Sequence, residues 1–312
     1  MDNNIYVQSS PHIRDDINTR FIMLDVIIAL LPATIWGILR FGIHALLVIV
    51  LTVISAIISE TLFNIIVKKP NTIGDLSCIV TGLILALNMP PEIPLFIPIV
   101  GSVFAIIIAK MLFGGLGQNF INPALAGRCF CHISFTAFMN NFKSTMSVDA
   151  YTSATPLTLL QEGKEVNLLD LIFGYIPGTI GEVSAICLLI GAIYLLVKKV
   201  IDIKIPLLCL ISFVVFIMLF SNKTTNMNYI MGELFGGGLI FAAFFMATDY
   251  VTAPITPLGK ILYGIIIGVL AGIFRLFGKT NENISYVILI SNLFVPLLDS
   301  WTIPTAFGRG GK

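Results

Sequence analysis

Long apolar runs separated by short polar or proline-bearing turns make up most of this chain. An apolar run of about twenty residues predicts a helix that crosses roughly 30 Å of hydrocarbon. Ten such spans are expected. The first covers 21–39 and the second 42–66, which stops at Lys68-Lys69-Pro70. The third, 75–89, is short and breaks at Asn88-Met89-Pro90-Pro91. The fourth covers 93–113, and the fifth reaches Phe138 and contains Arg128. After a long polar loop come a short interfacial segment (168–175) and then spans over 179–197, 205–220, 229–247, 259–277 and 284–298.

The predicted class is therefore all-α, a polytopic membrane protein. The segments divide as 1–20, an N-terminal cytoplasmic stretch; 21–139 and 179–299, two five-helix units; 140–178, a loop facing outward; and 300–312, a tail. The units echo one another. Leu112-Phe113-Gly114 ends the fourth span and Leu276-Phe277-Gly278 the ninth, each preceded by a short run broken at a polar, proline-bearing turn. With five spans each, the two units run in opposite senses, and discontinuous helices in such inverted repeats meet at the membrane midplane to form sites. Positive charges bias both termini to the cytoplasm, with Arg14, Arg20, Lys68, Lys69, Lys110, Lys198, Lys199, Lys204, Lys260, Arg309 and Lys312 on that side and Arg40, Lys143, Lys164, Lys223, Arg275 and Lys279 on the other.

Composition agrees. Hydrophobic residues are 57% of the 312 and charged ones 11%, with a net charge of +1 and a mean hydropathy of +0.97. That excludes an ordinary soluble domain and implies no nucleic-acid partner. The first apolar run is long enough to remain in the membrane, so no cleavable signal peptide is expected. Cys129-x-Cys131 lacks the second pair that a zinc or iron–sulfur site would need, and His12, His44 and His132 are scattered, so no metal site is expected.

Three sets of residues carry candidate chemistry. Asp149-Ala-Tyr-Thr152-Ser153-Ala154-Thr155-Pro156 is a loop of small residues. It is similar to the D-x-x-S/T-x-A-T pattern on which flavin transferases join FMN to the last threonine through a phosphoester. A hydroxyl on an open segment suits phosphoryl attack, although the same residues also make an ordinary polar loop closing at a proline. The second set is Phe113-Gly-Gly115-Leu-Gly117-Gln-Asn119-Phe-Ile-Asn122-Pro-Ala124. Its glycines would admit a planar ligand, and its amides match a flavin's donors and acceptors; a re-entrant turn with its own caps fits equally. Finally, carboxylates at membrane depth are costly. Asp249, Glu182 and Asp299 are candidates for an ion path, while Asp25 and Asp75 read as interfacial; Asp249 or Glu182 could also pair with Arg128 or cap a helix.

Together with Gly178-Thr-Ile-Gly-Glu-Val-Ser184 and Phe245-Met-Ala-Thr-Asp-Tyr-Val-Thr-Ala-Pro254, these pieces resemble, in order and across the whole chain, the D subunits of the Rnf ion-translocating ferredoxin:NAD oxidoreductases. The related B subunits of sodium-pumping NADH:quinone oxidoreductases carry a longer N-terminal extension. Tyr250 and Val183 depart from residues common in the family, proline and threonine. The resemblance implies a urea-transporter-like ten-helix bundle in a bacterial inner membrane. It implies FMN on Thr155 and a non-covalent riboflavin near Asn119 and Asn122. It also implies electron transfer coupled to Na⁺ or H⁺ movement, a flavin transferase for maturation, and the other Rnf subunits as partners. In such a translocase this subunit would not be catalytic alone. The alternatives are the quinone-reductase B subunit and a cofactor-free channel or transporter of inverted-repeat fold.

Overall fold

A computed structural model describes residues 18–142, 156–161, 166–182, 184–221, 227–278 and 284–304, and every regular element among them is helical. Apolar segments without water to bond their backbone must satisfy it internally, which favours helices. Thr19–Phe41 (α1) and Ile43–Val67 (α2) meet at Gly42, whose φ of 79° suits glycine. Ser77–Leu87 (α3) ends at the Asn88 break, as the pattern predicts. Phe96–Val103 (α4) runs directly into a π-helix, Phe104–Met111. Pro123–Ser134 (α5) is followed by the single turn Thr136–Met139 (α6).

Beyond the polar loop lie Pro156–Gln161 (α7) and Leu168–Phe173 (α8), the latter matching the expected short segment. Ala185–Val197 (α9), Lys204–Phe220 (α10) and Met227–Phe235 (α11) come next. Leu239–Phe241 (α12) continues as a second π-helix, Ala242–Met246. Pro257–Phe277 (α13) and Ile284–Thr302 (α14) complete the order.

Helices α1, α2, α13 and α14 are each long and apolar enough to cross a membrane, and α3, the α4 pair, α9 and α10 are shorter apolar helices. The chain is a multi-pass membrane protein.

Two predicted spans differ from the pattern. The run over 229–247 is not one helix: α11 and α12 meet at a 54° bend, where Gly237 (φ 63°) and Gly238 (φ 68°) take left-handed backbone. The free carbonyls of this break are bonded by Arg275, whose guanidinium donates to Glu233 O (2.9 Å), Gly236 O (2.8 Å) and Gly237 O (3.2 Å) and pairs with the Glu233 carboxylate at 2.9 Å. The run predicted from Thr179 becomes helical only at Ala185. Its first residues instead bond the broken end of α3, with Ile180 N donating to Met89 O (3.0 Å) and Gly181 N to Leu87 O (2.8 Å).

Packing assembles α2 with α3 and α4, and α10 with α13, while α1 packs on α9 and α5 on α14 to join the two parts of the chain. Small residues set the closest approaches, as is usual between helices in lipid. Gly264, Gly268 and Gly272 lay one face of α13 on α10, and a Cβ on Gly268 would overlap Ser212 Oγ and Cys209 O. Likewise, a Cβ on Gly191 of α9 would overlap Ala29 O of α1.

Candidate functional site

A cleft enclosing about 740 Å³ of unfilled space, part of it open to solvent, lies where the two parts of the chain meet. From the N-terminal part it is lined by Ile22 and Val26 of α1, Ser77 and Thr81 of α3, Lys110 of the first π-helix, and Leu116, Asn119 and Asn122. From the C-terminal part come Leu195, Val200, Phe244 and Phe245 of the second π-helix, and Thr248 to Val251. Both π-helices thus deliver side chains to one cleft. A π segment inserts an extra residue into a helical turn and often marks a functional position.

The polar wall is a connected network. Lys110 Nζ donates to Glu60 Oε2 (2.7 Å) and to Ser77 Oγ (2.6 Å). Ser77 Oγ in turn donates to Asp75 Oδ1 (2.6 Å), and Thr72 Oγ1 donates to Glu60 Oε1 (2.5 Å). Glu60 is fully buried and Lys110 only 2% exposed. A charge pair so buried persists only when its remaining lone pairs and protons are also bonded, which Thr72 and Ser77 accomplish. Across the cleft, Asp249 accepts from Thr252 Oγ1 (3.1 Å) and Val251 N (3.5 Å).

The residues singled out in the sequence separate into groups. Asn119, Asn122 and Asp249, far apart in sequence, come together in this cleft. Asn122 is engaged as the α5 cap: its Oδ1 accepts from Ala124 N (3.0 Å) and Leu125 N (3.4 Å), and its Nδ2 donates to Met246 O (3.4 Å). It ties α5 to the second π-helix, whereas Asn119 Nδ2 spends one of its two protons on Ile121 O (3.0 Å).

Gly115 and Gly117 do not line the cleft. They hold φ of 101° and 89° and border open space, so the tight turn requires them for backbone reasons. Glu182 lies elsewhere, 3.8 Å from Arg128 and against Gly238, where a Cβ would overlap its Oε1. Asp299 accepts from Ile255 N (3.1 Å) and steadies the turn before α13. Of the three carboxylates, only Asp249 lines this cleft. Asp149, Thr152, Ser153, Ala154 and Thr155 lie outside the described residues.

Sequence reasoning missed Glu60, Glu233 and the burial of Lys110 and Arg275. Lys110 and Arg275 sit close to span ends and read as loop charges; both are buried in ion pairs. The available signal was a carboxylate inside the apolar run of α2, since such residues at membrane depth are paired or functional.

Chemically, the cleft has the donor set a flavin ring requires. Apolar faces come from Ile22, Val26 and Phe244, and donors from Asn119 and Lys110, which suit a dione edge, while the Ser77 hydroxyl proton is committed to Asp75.

Comparison with known proteins accords with this architecture. Residues 6–308 match the model of the NQR2, RnfD, RnfE family. The chain is 43% identical over 310 residues to the D subunit of the Na(+)-translocating ferredoxin:NAD(+) oxidoreductase complex of Acetobacterium woodii, covering 98% of this chain and 96% of that protein. It is 39% identical over 323 residues to the proton-translocating counterpart of Clostridium ljungdahlii, covering 98% and 97%. The D subunit of an ion-translocating oxidoreductase complex of Actinobacillus succinogenes is 34% identical over 347 residues, covering 97% of each chain. With a family model matched almost end to end and relatives well above 30% identity, the chain belongs to the NQR2, RnfD, RnfE family.

Proposed function

We propose that this protein is the D-type membrane subunit of an ion-translocating ferredoxin:NAD⁺ oxidoreductase, working as part of a complex and not catalytic alone. The observation that carries the reading is end-to-end similarity to the D subunits of such complexes, 43% identity over 98% of this chain. Its partners are the other subunits of that complex. The coupling ion is Na⁺ or H⁺, the two named for its relatives. The membrane is the bacterial inner membrane, with both termini cytoplasmic.

Two flavins fit the chain. FMN would be joined to Thr155 by a flavin transferase, with Asp149 and Thr152 completing the acceptor pattern. A non-covalent riboflavin would occupy the cleft, where Asn119, Ser77 and Lys110 supply polar contacts and Phe244 an apolar face. A bound flavin supplies one- and two-electron carriage, while the protein supplies position and electrostatics. Asn119 would hold the ring edge and the π-helix phenylalanines would exclude water, while Asn122 ties the two walls together through Met246 O. The chain would form two inverted five-helix repeats of urea-transporter type, a reading supported by the packing of α2 with α4 in one part and of α10 with α13 in the other, joined through α1 with α9 and α5 with α14.

The test is ultraviolet in-gel fluorescence of the chain co-expressed with a flavin transferase, as wild type and as Thr155→Val. A wild-type band that fluoresces and goes dark in the variant is expected. A dark wild-type band beside a labelled control substrate sinks the electron-carrier reading. A bright variant band moves the attachment to another hydroxyl.

A further inference from the structure

Lys110 is the only cationic side chain among the described residues lining the cleft, and it is held there from behind. Its ammonium sits between the Glu60 carboxylate (2.7 Å) and the Ser77 hydroxyl (2.6 Å), and Ser77 is fixed by Asp75. The Glu60 carboxylate is fixed in turn by Thr72, which Asn64 Nδ2 contacts at 3.0 Å. Four helical or turn segments thus converge on one ammonium: α2, the 72–75 turn, α3 and the first π-helix. The π-helix itself brings Lys110 to the wall, because its carbonyl and that of Ile107 accept i+5 bonds from Gly115 N (3.2 Å) and Leu112 N (3.0 Å).

We propose that Lys110 sets the reduction potential of the flavin held in this cleft, with Glu60 and Ser77 as positioning residues. This rests on the reading of the cleft as a flavin site. The reduction in question takes two electrons from a neighbouring redox subunit and one proton from water, and no bond to the protein forms. It leaves one negative charge on the ring system, delocalised over the N1–C2 carbonyl edge. A fixed ammonium in a low-dielectric wall favours that charge over the neutral oxidised ring. Glu60 weakens the effect by sharing the ammonium, but it does not line the cleft, so at the ring the nearer ammonium outweighs it. Asp249 faces the cleft from the opposite wall and acts in the contrary sense.

Removing Lys110 alone would strand the buried Glu60 charge, so the test uses Glu60→Gln/Lys110→Met beside Glu60→Gln and Lys110→Arg. Each full-length chain is purified with its flavin transferase co-expressed. Acid-extractable and acid-stable flavin are separated and quantified, and both are titrated by spectroelectrochemistry, with the covalent flavin as internal reference. In Glu60→Gln/Lys110→Met the extractable flavin is expected to hold at least tenfold more of the oxidised form at a fixed potential, a fall of about 30 mV for two electrons. Lys110→Arg keeps the wild-type value, Glu60→Gln does not fall, and the covalent flavin does not move.

An extractable flavin whose potential is the same in Glu60→Gln/Lys110→Met overturns the assignment. So does Lys110→Arg behaving like that double variant, because side-chain size would then be acting and not charge. If Glu60→Gln/Lys110→Met loses the extractable flavin while Lys110→Arg retains it at the wild-type potential, the charge contact is supported. A wild-type chain that yields no extractable flavin overturns the cleft reading, and this inference with it, while the Thr155 labelling result stands separately.

Discussion

Uncoupling the buried pair of Glu60 and Lys110 gives a stability signature that separates a paired charge from an ordinary polar contact. In Lys110→Met, Glu60 keeps only its Thr72 donor at a site with no solvent exposure, and Ser77 loses the ammonium at 2.6 Å. Breaking one side of such a pair costs about 3–5 kcal/mol. Glu60→Gln strands the ammonium between an amide and a hydroxyl, at a similar or slightly smaller cost. Glu60→Gln/Lys110→Met leaves no buried charge, since the thioether fills the lysine stem's volume and the amide still accepts from Thr72. Its expected cost is below about 2 kcal/mol, because replacing both ends of a buried pair is often nearly neutral. The coupling energy is then several kcal/mol, at or above the usual upper range for contacting residues.

Heating in detergent with a thiol-reactive dye reads this out. Cys78, adjacent to Ser77, and Cys129, Cys131 and Cys209 are free and buried, so they label only as the fold opens. All variants are compared at one scan rate, because unfolding of a multi-pass protein in detergent is commonly irreversible. Two single variants that melt with the wild type would refute the reasoning. So would a Glu60→Gln/Lys110→Met midpoint lowered by the sum of the single shifts.

Two further outcomes follow from packing and charge. Gly268→Ala forces α13 away from α10, because the new methyl meets Cys209 O and Ser212 Oγ; overpacking of this kind costs about 1–3 kcal/mol, and the same dye should report earlier opening at Cys209. A melting point equal to wild type would show that the α10–α13 contact is looser than the glycine stripe implies. At the α9–α10 turn, partial burial acts to raise the Asp202 carboxyl, but the Lys204 backbone N–H and the Lys260 and Lys204 ammoniums outweigh it and pull it below the usual range. A depressed folded-state value contributes stability above the unfolded carboxyl range, near pH 4, and that contribution is lost as pH falls through the folded value. The group is partly exposed, so the effect is below about 1 kcal/mol. Asp202→Asn should show a flatter decline in melting temperature below about pH 4 than wild type, and identical slopes would remove the pair from the account.

The sequence by itself determined the class and the order of the helices. Apolar runs such as those of α1, α2, α13 and α14 can satisfy their backbone in lipid only as helices, and the polar, proline-bearing break after α3 falls where the pattern puts it. The family was legible too, because its motifs are local strings. Tertiary structure decided which polar residues share a site. Asn119, Asn122 and Asp249 meet because α1, α5 and the second π-helix converge, whereas Glu182 and Asp299 turn to other partners. It also decided that Lys110 and Arg275 are buried and not loop charges, since a residue near a span end is exposed or enclosed according to its neighbours. The π segments and the 54° bend at Gly236–Gly238 depend on how adjacent helices supply partners for displaced backbone groups. Those partners lie tens of residues away in the chain, and periodicity along one run carries no record of them.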